Sequence, residues 1–210
     1  MRFLKDNKIV VSALMALAVT ELVFFLRLDT IVVLWTRDLH RTGAAHSFLD
    51  IVNPFMNVAS NGATLIIAAF LLFAIGRFKK PSLYPFGKSL LIGLLSAGLS
   101  VQVLKHLIGR ARPRLTDSVI FIGPSLKSGY DSFPSGHSTL AFCLAYVASK
   151  YYPRYNAAFY LFALTVALYR IDCLAHFPSD VLAGAVVGVT VAKLILSKTA
   201  GQAATAEYPG

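Results

Sequence analysis

Tyr169-Arg170-Ile171-Asp172-Cys173-Leu174-Ala175-His176-Phe177-Pro178-Ser179-Asp180 sets an arginine, a histidine and an aspartate between two long apolar runs. Charge that close to lipid needs a reason. Pro178 cannot sit in a helix interior but suits a first turn, so the last apolar helix is expected to start near it, with His176 just outside and Asp180 inside. The two are then close neighbours. A carboxylate so placed can accept a hydrogen bond from one imidazole nitrogen and leave the other as a lone pair, which describes an oriented nucleophile or base. A membrane helix end resting on headgroups would look the same in this stretch alone, so the rest of the chain has to decide.

The chain's 210 residues suffice for one domain, and 56% hydrophobic content with 14% charged residues is too apolar for an ordinary soluble protein. An integral membrane protein is expected. The net charge of +10 comes from basic residues scattered at the ends of apolar runs, with no Lys/Arg block or aromatic-interleaved patch. That argues against nucleic acid and for anionic headgroups. Cys143 and Cys173 have no metal-ligand spacing and read as free, small core residues.

Six apolar runs cover about 9–26, 55–75, 90–108, 135–152, 157–174 and 178–196. The first follows Arg2, Lys5 and Lys8 and reads as an uncleaved anchor rather than a signal peptide. Residues 27–50, with Trp35, Arg37, Asp38, His40 and Arg41 among aliphatics, read as an interfacial segment. Residues 109–132 are a polar loop, and 199–210 are expected to be a disordered tail. The expected fold is all-α: one domain over 1–210, an integral membrane bundle of about six transmembrane helices with an interfacial segment after the first.

If Arg2, Lys5, Lys8, Arg77, Lys79, Lys80, Lys88, Lys150, Arg154, Lys193 and Lys198 mark the cytoplasm, both termini lie inside. The end of the third run, the start of the fourth and the fifth-to-sixth turn then share the opposite face. All the remaining polar islands sit at those three places.

The first island is Lys105-His106-Leu107-Ile108-Gly109-Arg110-Ala111-Arg112-Pro113-Arg114. Lys105 and Arg112 share a face if helix persists through most of the interval, and Pro113 biases Arg112 out of helical geometry. A compact charge and a planar fork together suit a phosphoryl group. Arg110 and Arg114 read as headgroup charges outside the site. The second island, Phe133-Pro134-Ser135-Gly136-His137-Ser138-Thr139, opens the fourth run with free backbone N–H groups, a hydroxyl and the positive end of a helix dipole. That is an anion seat, and His137 beside it could donate a proton to a leaving oxygen.

Lys-x6-Arg-Pro, Pro-Ser-Gly-His and Arg-x5-His-x3-Asp, in that order over 105–180, resemble the type 2 phosphatidate phosphatase superfamily. That superfamily includes membrane lipid phosphatases, bacterial undecaprenyl-diphosphate phosphatases, glucose-6-phosphatase and, more distantly, vanadium haloperoxidases. The resemblance implies a metal-independent lipid phosphate or diphosphate phosphatase with its site on the outer face of the plasma (inner) membrane. It implies that His176 attacks phosphorus to form a phosphohistidine and that Asp180 orients it. His137 would protonate the leaving group and later activate water, while Lys105, Arg112 and Arg170, with Ser135 and Gly136, bind phosphate. One departure is Tyr169, where the family often has serine, so no role is carried to it.

A lone carboxylate is too few for a two-metal cluster, so no metal or cofactor is expected and activity should survive chelator. The expected partners are a lipid phosphate and the bilayer, with no nucleic acid. The same residues leave a phosphotransferase, or a non-enzymatic anion transporter or scaffold, as alternatives. Undecaprenyl diphosphate, phosphatidate, phosphatidylglycerol phosphate and lipid A phosphate all offer the clamp a similar headgroup, and oligomeric state is not legible. His40, His46 and His106 read as structural or interfacial, and Asp117, Asp131 and Lys127 as solvated loop charges.

Overall fold

The computed structural model describes residues 8–23, 27–43 and 54–207; Arg2, Lys5, Leu26, His46, Asp50 and residues 208–210 lie outside them. The named elements are α1 (Lys8–Val23), α2 (Asp29–Thr42), α3 (Gly62–Phe78), α4 (Tyr84–Ile108), α5 (Gly136–Tyr151), α6 (Asn156–Asp172) and α7 (Pro178–Glu207). Each of the six apolar runs carries one of these helices, and the interfacial segment carries α2. Two stretches, Pro81–Ile108 and Pro178–Lys198, are long and apolar enough to cross a membrane by themselves.

Helix ends follow local chemistry. Asn61 caps α3, its Oδ1 accepting from the Ala63 and Thr64 N–H groups at 2.9 and 3.4 Å. Ser135 caps α5, its hydroxyl accepting from Ser138 N at 3.5 Å. At α4 the expectation needs correcting: the helix stops at Ile108, well before Arg112, because Gly109 takes a left-handed φ of 61°. A Cβ at Gly109 would also lie 1.9 Å from the Gly123 carbonyl oxygen. Lys105 and Arg112 therefore share no helical face. The tail differs too: α7 continues to Glu207, since 199–207 are alanine-rich and lack proline.

The bundle is held by close helix contacts at small residues. Gly184 and Gly188 on α7 abut α5 so tightly that a Cβ on either would come within 2.5 and 2.2 Å of the Ser135 and Thr139 carbonyl oxygens. This contact ties the second island to the third: Ser135 N donates to the Asp180 carbonyl at 2.9 Å. One apolar cluster joins α3, α4, α5 and α7 through Leu65, Leu94, Leu140, Val147 and Ala192. Another joins α5 to α6 and includes Tyr169.

The distribution of polarity is the reverse of a soluble bundle. Leu99 is 70% exposed and Leu161 and Leu168 are each 66% exposed, whereas Asp29, Arg110, Ser179 and Asp180 are completely buried. An apolar outer surface over a charged interior is suited to lipid. The C-terminal ends of α4 and α6, the N-terminal ends of α3 and α5 and the turn before α7 surround one cavity.

Candidate active site

A cavity of about 340 Å³ is lined by Lys105, Arg112, Asp131, Gly136, His137, Arg170 and His176, together with Gly62, Gly98 and Gln102. All three islands meet in it. Six of the eight residues expected at the site line the cavity, and Ser135 and Asp180 stand behind it.

His176 follows α6 in the turn before Pro178. Its Nδ1 lies 2.7 Å from the Ser132 carbonyl oxygen. A carbonyl can only accept, so Nδ1 carries the proton and Nε2 keeps its lone pair. Nε2 has no protein partner among the described residues, and the side chain lines the cavity. Asp180 Oδ2 is 3.6 Å from Nδ1, an ion-pair distance rather than a hydrogen bond. The orienting acceptor is thus the Ser132 main chain, with Asp180 supplying charge from behind it. Burial holds the imidazole below its usual range, at about 4, against the opposing pull of Asp180.

The Asp180 carboxylate is held by three donors. Oδ1 accepts from Arg110 Nη1 at 2.5 Å, where Arg110 Nη1 also reaches Ser179 Oγ at 2.6 Å. Oδ2 accepts from Ser132 Oγ at 2.5 Å and Phe177 N at 2.8 Å. Arg110 was expected on headgroups; instead it is completely buried, its guanidinium 4.4 Å from the Phe177 ring centre and also bonded to Asp29. The reason is Gly109: the reversal of the chain there turns Arg110 inward, and the Arg110 main chain then pairs with Phe121.

The phosphate clamp differs from expectation in one respect. Arg112 grips Asp131 with both ends of its fork, Nε to Oδ1 at 2.9 Å and Nη2 to Oδ2 at 2.6 Å. Lys105 Nζ donates to the Asp131 carbonyl at 2.5 Å and lies 3.9 Å from its carboxylate. Asp131, read as a solvated loop charge, is a cavity residue. Its burial raises the carboxyl pKa, but the Arg112 hydrogen bond and charge, with Lys105, overcome this and hold it at about 2. Arg170 is different: it has no carboxylate partner among the described residues, and its buried Nε has no acceptor.

Ser135 is completely buried, and its hydroxyl accepts from Ser138 Oγ at 3.1 Å as well as from Ser138 N. It shapes the helix start, and Gly136 and His137 face the cavity. His40 pairs with Asp172 at 2.9 Å, and His106 Nδ1 lies 3.1 Å from the Ser125 carbonyl, structural roles for both.

Motif spacing does not single out Asp29, Arg110, Asp131, Ser132 or Ser179. For Asp29 a signal exists: an acid among aliphatics, between Leu28 and Ile31, is the same kind of intramembrane charge as Asp180. For Ser132 none exists, because its main-chain carbonyl is what binds His176.

A family model described as the PAP2 superfamily matches residues 86–202, which include all three islands. A lipid A 1-phosphatase from Rhizobium johnstonii is 37% identical over 126 residues, 58% of this chain and 52% of that protein. Lipid phosphate phosphatase 2 of Arabidopsis thaliana is 27% identical over 183 residues, 72% of this chain and 63% of that protein. The chain spans about half the length of the Rhizobium relatives it matches. Among solved structures, the PAP2-type phosphatidylglycerolphosphate phosphatase from Bacillus subtilis superposes with a TM-score of 0.68 at 21% identity, covering 94% of this chain and 97% of that one. Aquifex aeolicus LpxE gives 0.55 at 25% identity, covering 82% and 94%. The three ordered motifs, the cavity they enclose and a family match running through all of them lead to one conclusion: the chain belongs to the PAP2 superfamily.

Proposed function

We propose that this protein removes the terminal phosphate of a membrane lipid by way of a phosphohistidine. The observation that carries the reading is the cavity itself, which an imidazole with a free Nε2 shares with a guanidinium whose buried Nε has no acceptor. In the first step the Nε2 lone pair of His176 forms a bond to phosphorus and the bond from phosphorus to the lipid oxygen breaks. His137 protonates that oxygen as it leaves. In the second, His137 takes a proton from water, the water oxygen bonds to phosphorus, and the P–N bond breaks to release inorganic phosphate and restore His176. Lys105, Arg112 and Arg170, with main-chain N–H groups at Gly136 and the positive end of α5, hold the charge that spreads over the equatorial oxygens. These cations belong to the protein, so turnover should persist in chelator.

The site opens at the bundle end opposite Lys79, Lys80, Lys88, Lys150 and Arg154. Under the positive-inside rule this supports a site on the outer face of the plasma membrane, in a protein with six spans and both termini in the cytoplasm. The relatives' names put lipid A 1-phosphate and phosphatidylglycerol phosphate at the head of the substrate panel, ahead of phosphatidate and undecaprenyl diphosphate. Purified protein in detergent should release phosphate from at least one of these lipids. His176→Ala should abolish release while eluting as folded protein; parental release by that variant sinks the nucleophile assignment.

A further inference from the structure

The interfacial helix α2 lies outside the span of the family match, yet it reaches the charged cluster behind His176. Leu28, Ile31, Leu34 and Trp35 leave an apolar face exposed along it, between 42% and 62% accessible. Its other face meets the residues next to three site groups. Arg37 Nη2 donates to the Pro113 carbonyl at 2.6 Å, beside Arg112. His40 pairs with Asp172, two residues from Arg170. Asp29, at the start of α2, accepts from Ser179 N at 3.0 Å and Ser179 Oγ at 2.5 Å, and from Arg110 Nη2.

We infer that Asp29 is a positioning residue for the phosphoryl-transfer step, acting on His176 through the arginine it shares with Asp180. The inference rests on the proposed reaction. Arg110 bridges the two carboxylates, one on each terminal nitrogen, and all three side chains are completely buried. One cation between two carboxylates leaves one net negative charge behind the imidazole. When Nε2 bonds to phosphorus with Nδ1 still protonated, the ring becomes cationic, and that net charge is what stabilises it in a poorly screening interior. Without Asp29 the guanidinium would neutralise Asp180 alone and the net charge would vanish. The other groups facing His176 are fixed in the comparison: Lys105 from α4, Arg170 from α6 and His137 from α5, all able to disfavour a cationic ring.

The test is the pH profile of kcat/KM for phosphate release in four proteins: parent, Asp29→Asn, Arg110→Gln, and the double variant. Asp29→Asn should lower kcat by roughly tenfold, leave KM within about twofold, and move the acid limb to lower pH. Arg110→Gln, which leaves two uncompensated carboxylates, should move the limb the other way. The double variant has the parent's net charge, so its limb should return to the parental position. A merely structural Asp29 would lower the yield of folded protein without opposed displacements of the limb. Parental kcat and limb in Asp29→Asn overturn the inference, as does a double variant whose limb stays displaced. Should Asp29→Asn not fold, the double variant, which keeps the parent's net charge behind the imidazole, carries the test on the same criterion. A parent that releases no phosphate from the lipid panel would instead refute the proposed reaction, a distinguishable result.

Discussion

Two clusters of arginine and aspartate lie on either side of His176, and they are built from the same side chains for different purposes. Behind the imidazole, Arg110 joins Asp29 and Asp180 with every charged side chain at zero exposure. In the cavity, Arg112 and Lys105 hold Asp131, whose side chain is 33% exposed. Burying ions is expensive, and a buried pair is strongly destabilised by loss of one partner. The rear cluster is therefore a fixed framework that no ligand can exchange with. The front cluster is open to water, and a phosphoryl group offers Arg112 the same two-oxygen geometry that Asp131 does. The same ion-pair chemistry is thus sealed from water in one place and open to it in the other.

The comparison can be broken most forcefully at Arg110. Arg110→Ala leaves two buried carboxylates facing each other and should destabilise the fold by about 3–5 kcal/mol, seen as loss of monodisperse protein in detergent. If the variant is as stable as the parent, the rear cluster is not a framework. Arg112→Lys should behave oppositely: melting changes little, while phosphate release falls on the order of a hundredfold because an ammonium cannot replace the planar fork. Unchanged turnover would remove Arg112 from the clamp.

A pH titration of stability sharpens the contrast. His176 is held at about 4 by burial, below the unfolded value of about 6.5. Between these values the unfolded chain binds the proton that the folded chain refuses, so this histidine's contribution makes stability fall as pH drops from about 6.5 to about 4. The slope in that window should shrink in His176→Gln, measured by thermal unfolding in detergent. Asp131 is shifted in the same direction by a different cause, the Arg112 ion pair, with its folded value lowered to about 2; its stabilising contribution is present above about 4 and is lost only on acidification towards 2. The smallest effect is expected at Asp131 itself. Asp131→Asn removes the carboxylate that phosphate must displace, and inhibition by inorganic phosphate should tighten about severalfold. Weaker inhibition would mean that Asp131 shapes the clamp rather than competing for it.

Much of this molecule was legible from residue order. Six apolar runs became helices because partition into lipid depends on composition over a window of residues, which is a local property. The three islands were recognisable because charge between apolar runs is costly wherever it occurs, and Lys105, Arg112, His137, Arg170 and His176 do line one cavity. The failures share a cause. Arg110 reads as a headgroup charge in the sequence because its partners Asp29 and Asp180 lie 81 and 70 residues away. Asp131 looked like a solvated loop charge because nothing in its neighbourhood reveals that Arg112 is its partner across the loop.

What the sequence by itself determined was an all-α chain of apolar helices carrying three islands of imidazole and cation, since apolar length and motif spacing are written along the chain. Only the tertiary structure decided which atoms face each other: that the Ser132 carbonyl holds the His176 proton on Nδ1, that Ser135 caps a helix, and that α2 reaches the cluster behind His176 through Asp29. Those outcomes depend on the directions of main-chain groups and on contacts between segments as much as 150 residues apart, and direction in space is not a local property of sequence.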